Sequence, residues 1–140
     1  MPCALTRLVA FHARHRYHRA EWTAEENRAR FGATGELPGH GHLYRVAVTI
    51  TGPLDPATQM ILDLAEFDTI LAEEIVRPLA ATLLNESVDV FASGAELPSC
   101  EALAVWCWRR VAARLHGTVQ LERVRVAEDE TLWADCTGVT

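Results

Sequence analysis

The sequence predicts an α+β domain: a four-stranded antiparallel sheet with two helices on one face. Three observations lead there. The hydrophobic patterning runs strand, strand, helix, helix, strand, strand. The stretch "LYRVAVTIT" alternates strictly, with Tyr44, Val46, Val48 and Ile50 on one side and Arg45, Ala47, Thr49 and Thr51 on the other. At 140 residues the chain is long enough for one hydrophobic core and too short for two, so residues 1–140 are read as a single domain.

The first strand is predicted over Leu5 to His15, where Val9, Phe11, Ala13 and His15 share one parity and the inner face ends in a histidine. An excursion follows. Thr23 and Glu26 have capping-box spacing and Gly32 supplies a stop, so a short surface helix is expected over Ala24 to Phe31. The strand from Tyr44 comes next, preceded by "GELPGHGH", which gives His40 and His42 the parity of the buried face. "GPLDPATQ" is a turn region, and "LAEFDTILAEEIVRPL" reads as a helix with Leu64, Phe67, Leu71 and Ile75 on one stripe, ended by Pro78. Ala80 to Leu97 has no regular pattern. A second helix starts at Ser99, with Ala104, Trp108, Val111 and Leu115 as its apolar stripe and His116-Gly117 as its end. The strands "TVQLERVRVAED" and "TLWADC" complete the chain.

Composition excludes several classes of function. With 13 Lys+Arg against 19 Asp+Glu the net charge is −6, which disfavours nucleic acid as a partner because phosphate-backbone binding needs clustered cations. No apolar run approaches the roughly 18 residues of a membrane span, and the N-terminus has no secretory pattern, so a soluble cytoplasmic protein is expected. Cys3, Cys100, Cys107 and Cys136 lack zinc-knuckle spacing and are read as reduced, mostly buried residues.

The candidate chemistry centres on histidine. Residues i and i+2 of a strand point the same way, so His40 and His42 can bind one ion, and His15 at the end of the first strand is the natural third ligand. Three imidazoles with a fourth position open is a catalytic zinc arrangement, while a solvated Gly-His-Gly-His turn is the alternative on spacing alone. His12 has the opposite parity and is read as structural or supporting. His18 and His116, in loop and helix-end settings, are read as solvated. Glu128 ends the inner parity of "VRVAE" and is either a strand-end charge or an anchor for a ligand's amino-amide edge. Trp106 and Trp108 are read as core or interface.

Taken in order, these pieces resemble the 6-pyruvoyl-tetrahydropterin synthases and the related 6-carboxy-tetrahydropterin synthases. The resemblance runs from about Leu8 to Gly138. It rests on "FHARH" for Phe-x-Ala-x-His, "GHGHLYRVAV" for His-Gly-His before an apolar strand, and "DPATQM" before a helix. "RPL" at the helix end, "PSCE" at the next helix start and "VAED" at the last motif extend it. It implies the tunnelling fold, whose subunits assemble into a barrel, and hence a homo-oligomer, commonly a hexamer, with active sites at subunit boundaries. It also implies Zn2+ on His15, His40 and His42, and a small-molecule substrate such as a pterin, anchored by Glu128 with Ser99 and Glu101 nearby.

The catalytic residues of the family are not matched. Its members carry cysteine four or six residues ahead of the first histidine of His-Gly-His, where this chain has Glu36 and Thr34. They carry an Asp-His proton relay after the proline-leucine, where this chain has Ala80 and Ala81. Loss of one general acid or base costs about 10²–10⁴ in rate, so the parent reaction, side-chain isomerisation with phosphate elimination, is not expected. Three readings follow from the resemblance. One is retro-aldol cleavage of the side chain of a dihydroneopterin-triphosphate-like substrate with Glu36 as base, as in a subgroup with glutamate at that spacing. Another is a recruited zinc-dependent lyase, aldolase or cyclase of a specialised biosynthetic pathway. The third is a zinc- and ligand-binding pseudoenzyme.

Overall fold

Alternating apolar residues make a strand with one buried face, and four such strands pair here into one sheet. The computed structural model describes residues 3–139. The strands β1 (Cys3–His15), β2 (His40–Gly52), β3 (Gln120–Ala127) and β4 (Trp133–Cys136) are antiparallel neighbours in the order β1-β2-β3-β4. Phe11 and Ala13 of β1, Tyr44, Val46, Val48 and Ile50 of β2, and Val124 and Val126 of β3 are all buried on one face. The register pairs Phe11 with Tyr44, Ala13 with His42 and His15 with His40, so the inner parity of β1 meets the inner parity of β2 along its length. Leu8 and Leu43, on the opposite parity, stay exposed.

The excursion between β1 and β2 contains α1 (Ala24–Phe31), with the expected capping box between Thr23 and Glu26, followed by a 3₁₀ turn over Gly32–Gly35. Its interior is polar. Asn27 is buried, its Oδ1 accepting from Arg19 N at 2.8 Å and its Nδ2 donating to Arg19 O at 2.9 Å and Thr23 O at 3.0 Å. One amide thus satisfies the backbone of a loop that has no sheet partner.

The long helix is interrupted. α2 (Leu64–Leu71) passes through a π-helical segment, Ala72–Val76, into α3 (Arg77–Leu79). Phe67, Leu71 and Ile75 are buried as the stripe predicts, together with Ile70 and Leu79, whereas Leu64 in the first turn is exposed and borders an apolar groove with Leu5 and Met60. Pro78 has no N–H to offer the carbonyl of Glu74, and Arg110 Nε donates to that oxygen instead at 2.9 Å. The irregular stretch contains two short helical turns, α4 (Leu84–Ser87) and α5 (Asp89–Ala92).

The last helix, α6 (Cys100–Ala112), is capped by Ser99, whose hydroxyl accepts from Ala102 N at 3.1 Å. Its buried stripe is Cys100, Leu103, Ala104, Cys107 and Val111, spaced by three and four. This corrects the predicted stripe: Ala104 and Val111 belong to it, while Trp108 and Leu115 are only half-buried at its margin. The two cysteines, small enough to lie against the sheet, take the central line that the bulkier tryptophan was expected to fill. Among the described residues no helix is long and apolar enough to cross a membrane.

The amide of Asn27 gives a direct test of how the excursion is held. Asn27→Ala should lower the stability by about 1–3 kcal/mol, since the backbone groups of Arg19 lose buried partners. Urea unfolding with an unchanged slope and a lower midpoint is the expected readout.

Candidate functional site

β1 and β2 bring three imidazoles to one end of the sheet. His15 is the last residue of β1, His40 the first of β2, and His42 lies opposite Ala13. Their ring centroids are 4.5 Å apart for His15–His40 and 5.0 Å for each of the other pairs. One nitrogen from each lies within 4.8 Å of the others, a group that can hold a metal ion. The Nε2 atoms of His15 and His42 are 3.2 Å apart, close to the separation of about 3.4 Å between two nitrogens bound tetrahedrally at 2.0–2.1 Å.

A carbonyl fixes the chemistry of the most buried ring. His15 Nδ1 lies 2.7 Å from Pro98 O. A carbonyl only accepts, so Nδ1 carries the proton and Nε2 presents its lone pair to the other two rings. Burial lowers the pKa of His15 to about 4, with the Pro98 hydrogen bond opposing and the neighbouring His40 and His42 reinforcing the shift. Burial also lowers His40, with His42 adding to it. His15 is therefore neutral at pH 7, the form that binds metal.

Glu128 follows β3 and reaches the same place. Its Oε2 is 3.8 Å from His15 Nε2 and 3.9 Å from His42 Nε2, is shielded from solvent, and has no hydrogen-bond partner among the described residues. A buried carboxylate oxygen left unpaired is costly, which marks it as waiting for a donor. The structure also surrounds this end with groups that sequence reasoning missed. Tyr17 packs edge-on to His15 at 5.0 Å, Tyr44 to His42 at 5.5 Å, and the Tyr44 hydroxyl is likewise unpartnered. Burial and then the charge of Glu128 push Tyr17 up to about 12 and raise Tyr44 as well. The same two causes push the Cys100 thiol up to about 12, so the one cysteine beside Glu128 is held as a thiol. In the sequence these residues read as loop, strand core and helix start, with nothing to separate them from packing.

The other predicted residues are placed less centrally. Ser99 spends its hydroxyl on the α6 cap, and Glu101 is exposed in the first turn. Thr34 donates its hydroxyl to Phe31 O at the end of α1. Glu36 is exposed and borders a cavity with Arg16 and His18, whereas His42 borders two others. One of the His42 cavities also contains Ala81, at φ +60°, whose N–H donates to His12 O at 2.7 Å. The pair Ala80-Ala81 thus lies against the edge of β1, with methyl groups where a proton relay would stand.

Two glycines let the loop close on this end. A Cβ on Gly35 would lie 2.7 Å from Tyr17 O, and one on Gly39, at φ +87°, would lie 2.9 Å from His15 O. Only bare backbone can approach the chain leaving β1 so closely.

Comparison with known proteins agrees with this geometry. The family model described as 6-pyruvoyl tetrahydropterin synthase matches residues 4–139. The chain is similar to the Homo sapiens 6-pyruvoyl tetrahydrobiopterin synthase, with 35% identity over 126 residues, covering 90% of this chain and 85% of that one. Its fold is similar to that of Caenorhabditis elegans 6-pyruvoyl tetrahydropterin synthase, with a TM-score of 0.89, 23% identity, and 99% and 97% of the two chains covered. It is also similar to a Plasmodium vivax 6-pyruvoyltetrahydropterin synthase whose catalytic glutamate is replaced by cysteine, with a TM-score of 0.62, 10% identity and 97% of each chain covered. The four-stranded sheet with its helices is the tunnelling fold, and the chain belongs to the 6-pyruvoyl tetrahydropterin synthase family.

Proposed function

We propose that this protein is a zinc-dependent lyase of pterin metabolism that cleaves the side chain of a dihydroneopterin-type substrate by a retro-aldol step. The observation that carries the reading is the convergence of three imidazole nitrogens with the unpartnered Glu128 Oε2 in a member of this family. The donor set suits zinc: three neutral imidazoles, one oriented by a carbonyl, and no thiolate required. When bound, zinc supplies Lewis acidity to side-chain oxygens.

The chain's own residues supply the rest. Glu128 accepts two parallel N–H bonds from the amino and imino edge of the pterin ring, which pairs its orphaned oxygen. Tyr17 and Tyr44 keep water from the imidazoles. Glu36 acts as base, taking the proton of the second side-chain hydroxyl. That carbon becomes a carbonyl, the carbon-carbon bond to the first side-chain carbon breaks, and the electron pair passes to the ring imine. Support for Glu36 comes from its spacing before His40 and from its having no ion-pair partner within 4.0 Å among the described residues. The P. vivax relative, whose catalytic residue is a glutamate, adds to it. Thr34 is the poorer candidate because its hydroxyl is committed to Phe31. We further infer a cytoplasmic homo-oligomer, a hexamer in which subunits meet along the sheet edges, with exposed Leu8, Leu132 and Trp133 available for such contacts.

Two measurements test this. Purified protein should contain about one zinc per chain, and His42→Ala should lose it; metal analysis that finds none in the wild type overturns the reading. With dihydroneopterin and its triphosphate as substrates, product analysis should find a pterin bearing a single side-chain carbon, and no 6-pyruvoyl product. Glu36→Gln should slow that cleavage by about 10²–10⁴ while leaving zinc in place. Turnover at the wild-type rate would show that Glu36 is not the base.

A further inference from the structure

The chain has no lysine, so all 13 of its cationic residues are arginine, and most have an evident partner. Arg7, Arg19, Arg110, Arg114 and Arg125 are in ion pairs. Arg30 lies over the Trp22 ring, and Arg14 donates to Pro38 O. Arg16 and Arg28 have no such partner among the described residues, yet both border a cavity of about 390 Å³ between the chain leaving β1 and helix α1. His18 and Glu36 border it as well. The Arg16 Nε is shielded from solvent with no hydrogen-bond partner, a guanidinium N–H aimed at nothing. Leaving such a donor unpaired costs free energy that an acceptor would recover.

We propose that this cavity is an oxyanion site that takes a phosphate or polyphosphate group. Guanidinium groups match the paired oxygens of a phosphate through two parallel N–H bonds, and two of them with an imidazole suit a group with several oxygens better than a single carboxylate. The cavity is large enough for a chain of phosphates rather than one small anion. Asn27 contributes packing only, because its amide is used on the backbone of Arg19 and Thr23. Glu36 opposes the anion from the same wall, so its charge limits the affinity. Arg16 directly follows His15, and Glu36 precedes His40 by four residues. The site therefore has two sources of ligand: a free polyphosphate, or the phosphorylated tail of a molecule whose other end reaches the histidines. The proposal requires neither the lyase reading nor zinc.

Calorimetric titration of the full-length, zinc-loaded protein with inorganic tripolyphosphate tests it. Wild type should bind with an affinity that falls steeply with salt. Arg28 is exposed, so Arg28→Glu leaves the fold in place and should weaken binding about tenfold or more, with Arg16→Gln acting in the same direction. Glu36→Gln should tighten binding about threefold, a gain that neither misfolding nor capture of the metal by the probe would produce. No binding at millimolar probe, or the same affinity in wild type, Arg28→Glu and Glu36→Gln, overturns the proposal. The source is read by comparing dihydroneopterin with its triphosphate. A preference for the triphosphate that Arg28→Glu abolishes supports the site as one that holds a ligand's tail. Equal binding of the two pterins beside Arg28-dependent binding of tripolyphosphate supports it as one for a free anion.

Discussion

The pairing of β1 with β2 is the constraint on which the rest depends. Thirteen residues of each strand run in unbroken antiparallel register from Cys3↔Gly52 to His15↔His40. Side chains alternate with a period of two, so a slip of one residue would turn Phe11, Ala13 and His15 out of the core together. The apolar part of the register is enforced by burial of Phe11 against Tyr44, with ring centroids 5.6 Å apart, and of Val46 and Val48 beneath the helices. The histidines lie at the end of this ladder, so the packing that stabilises the sheet also sets the distance between His15 and His40. Stability and site geometry share one cause.

The chemistry at that end follows from low exposure. His15 is kept neutral, Tyr17 and Cys100 are kept protonated, and Glu128 is left with an oxygen that no donor meets. Burial disfavours every charged form, and the negative charge of Glu128 deepens the effect on the acids around it. Such a site holds a cation or receives a ligand with N–H groups more readily than it generates a thiolate. The absence of cysteine at positions 34 and 36 is consistent with that setting, and so is the assignment of proton transfer to a carboxylate outside it.

The β1 end is closed from two sides, each by backbone. On one side Ala81 N–H donates to His12 O and Arg14 N–H to Thr82 O, so a short parallel segment covers the free edge of the first strand. On the other, Gly35 and Gly39 allow the loop to press on Tyr17 and His15, and Tyr17 N–H donates to Thr34 O. Substitution of the side chains at 80 and 81 therefore leaves the local architecture in place, because that architecture is built from main-chain hydrogen bonds. Side-chain chemistry can change here while the fold persists.

How much of this is legible in the sequence differs by element. The alternation of β2, the capping box of α1 and the parity shared by His15, His40 and His42 are local properties, repeated every two or every few residues, and the sequence by itself determined them. The stripe of α6 was only half legible. Burial of Cys107 rather than Trp108 depends on how closely the helix approaches the sheet, and residue type does not show that distance. The same holds for the meeting of Arg110 with the carbonyl freed by Pro78, and of His15 with Pro98, partners separated by 83 positions in the latter case. Glu128 had the right parity in the sequence, but its unpaired oxygen facing two imidazoles exists only once β3 lies beside β2. The tertiary structure alone decided that Glu36 opens onto a cavity with Arg16 and Arg28, because that wall is assembled from three segments without a shared period.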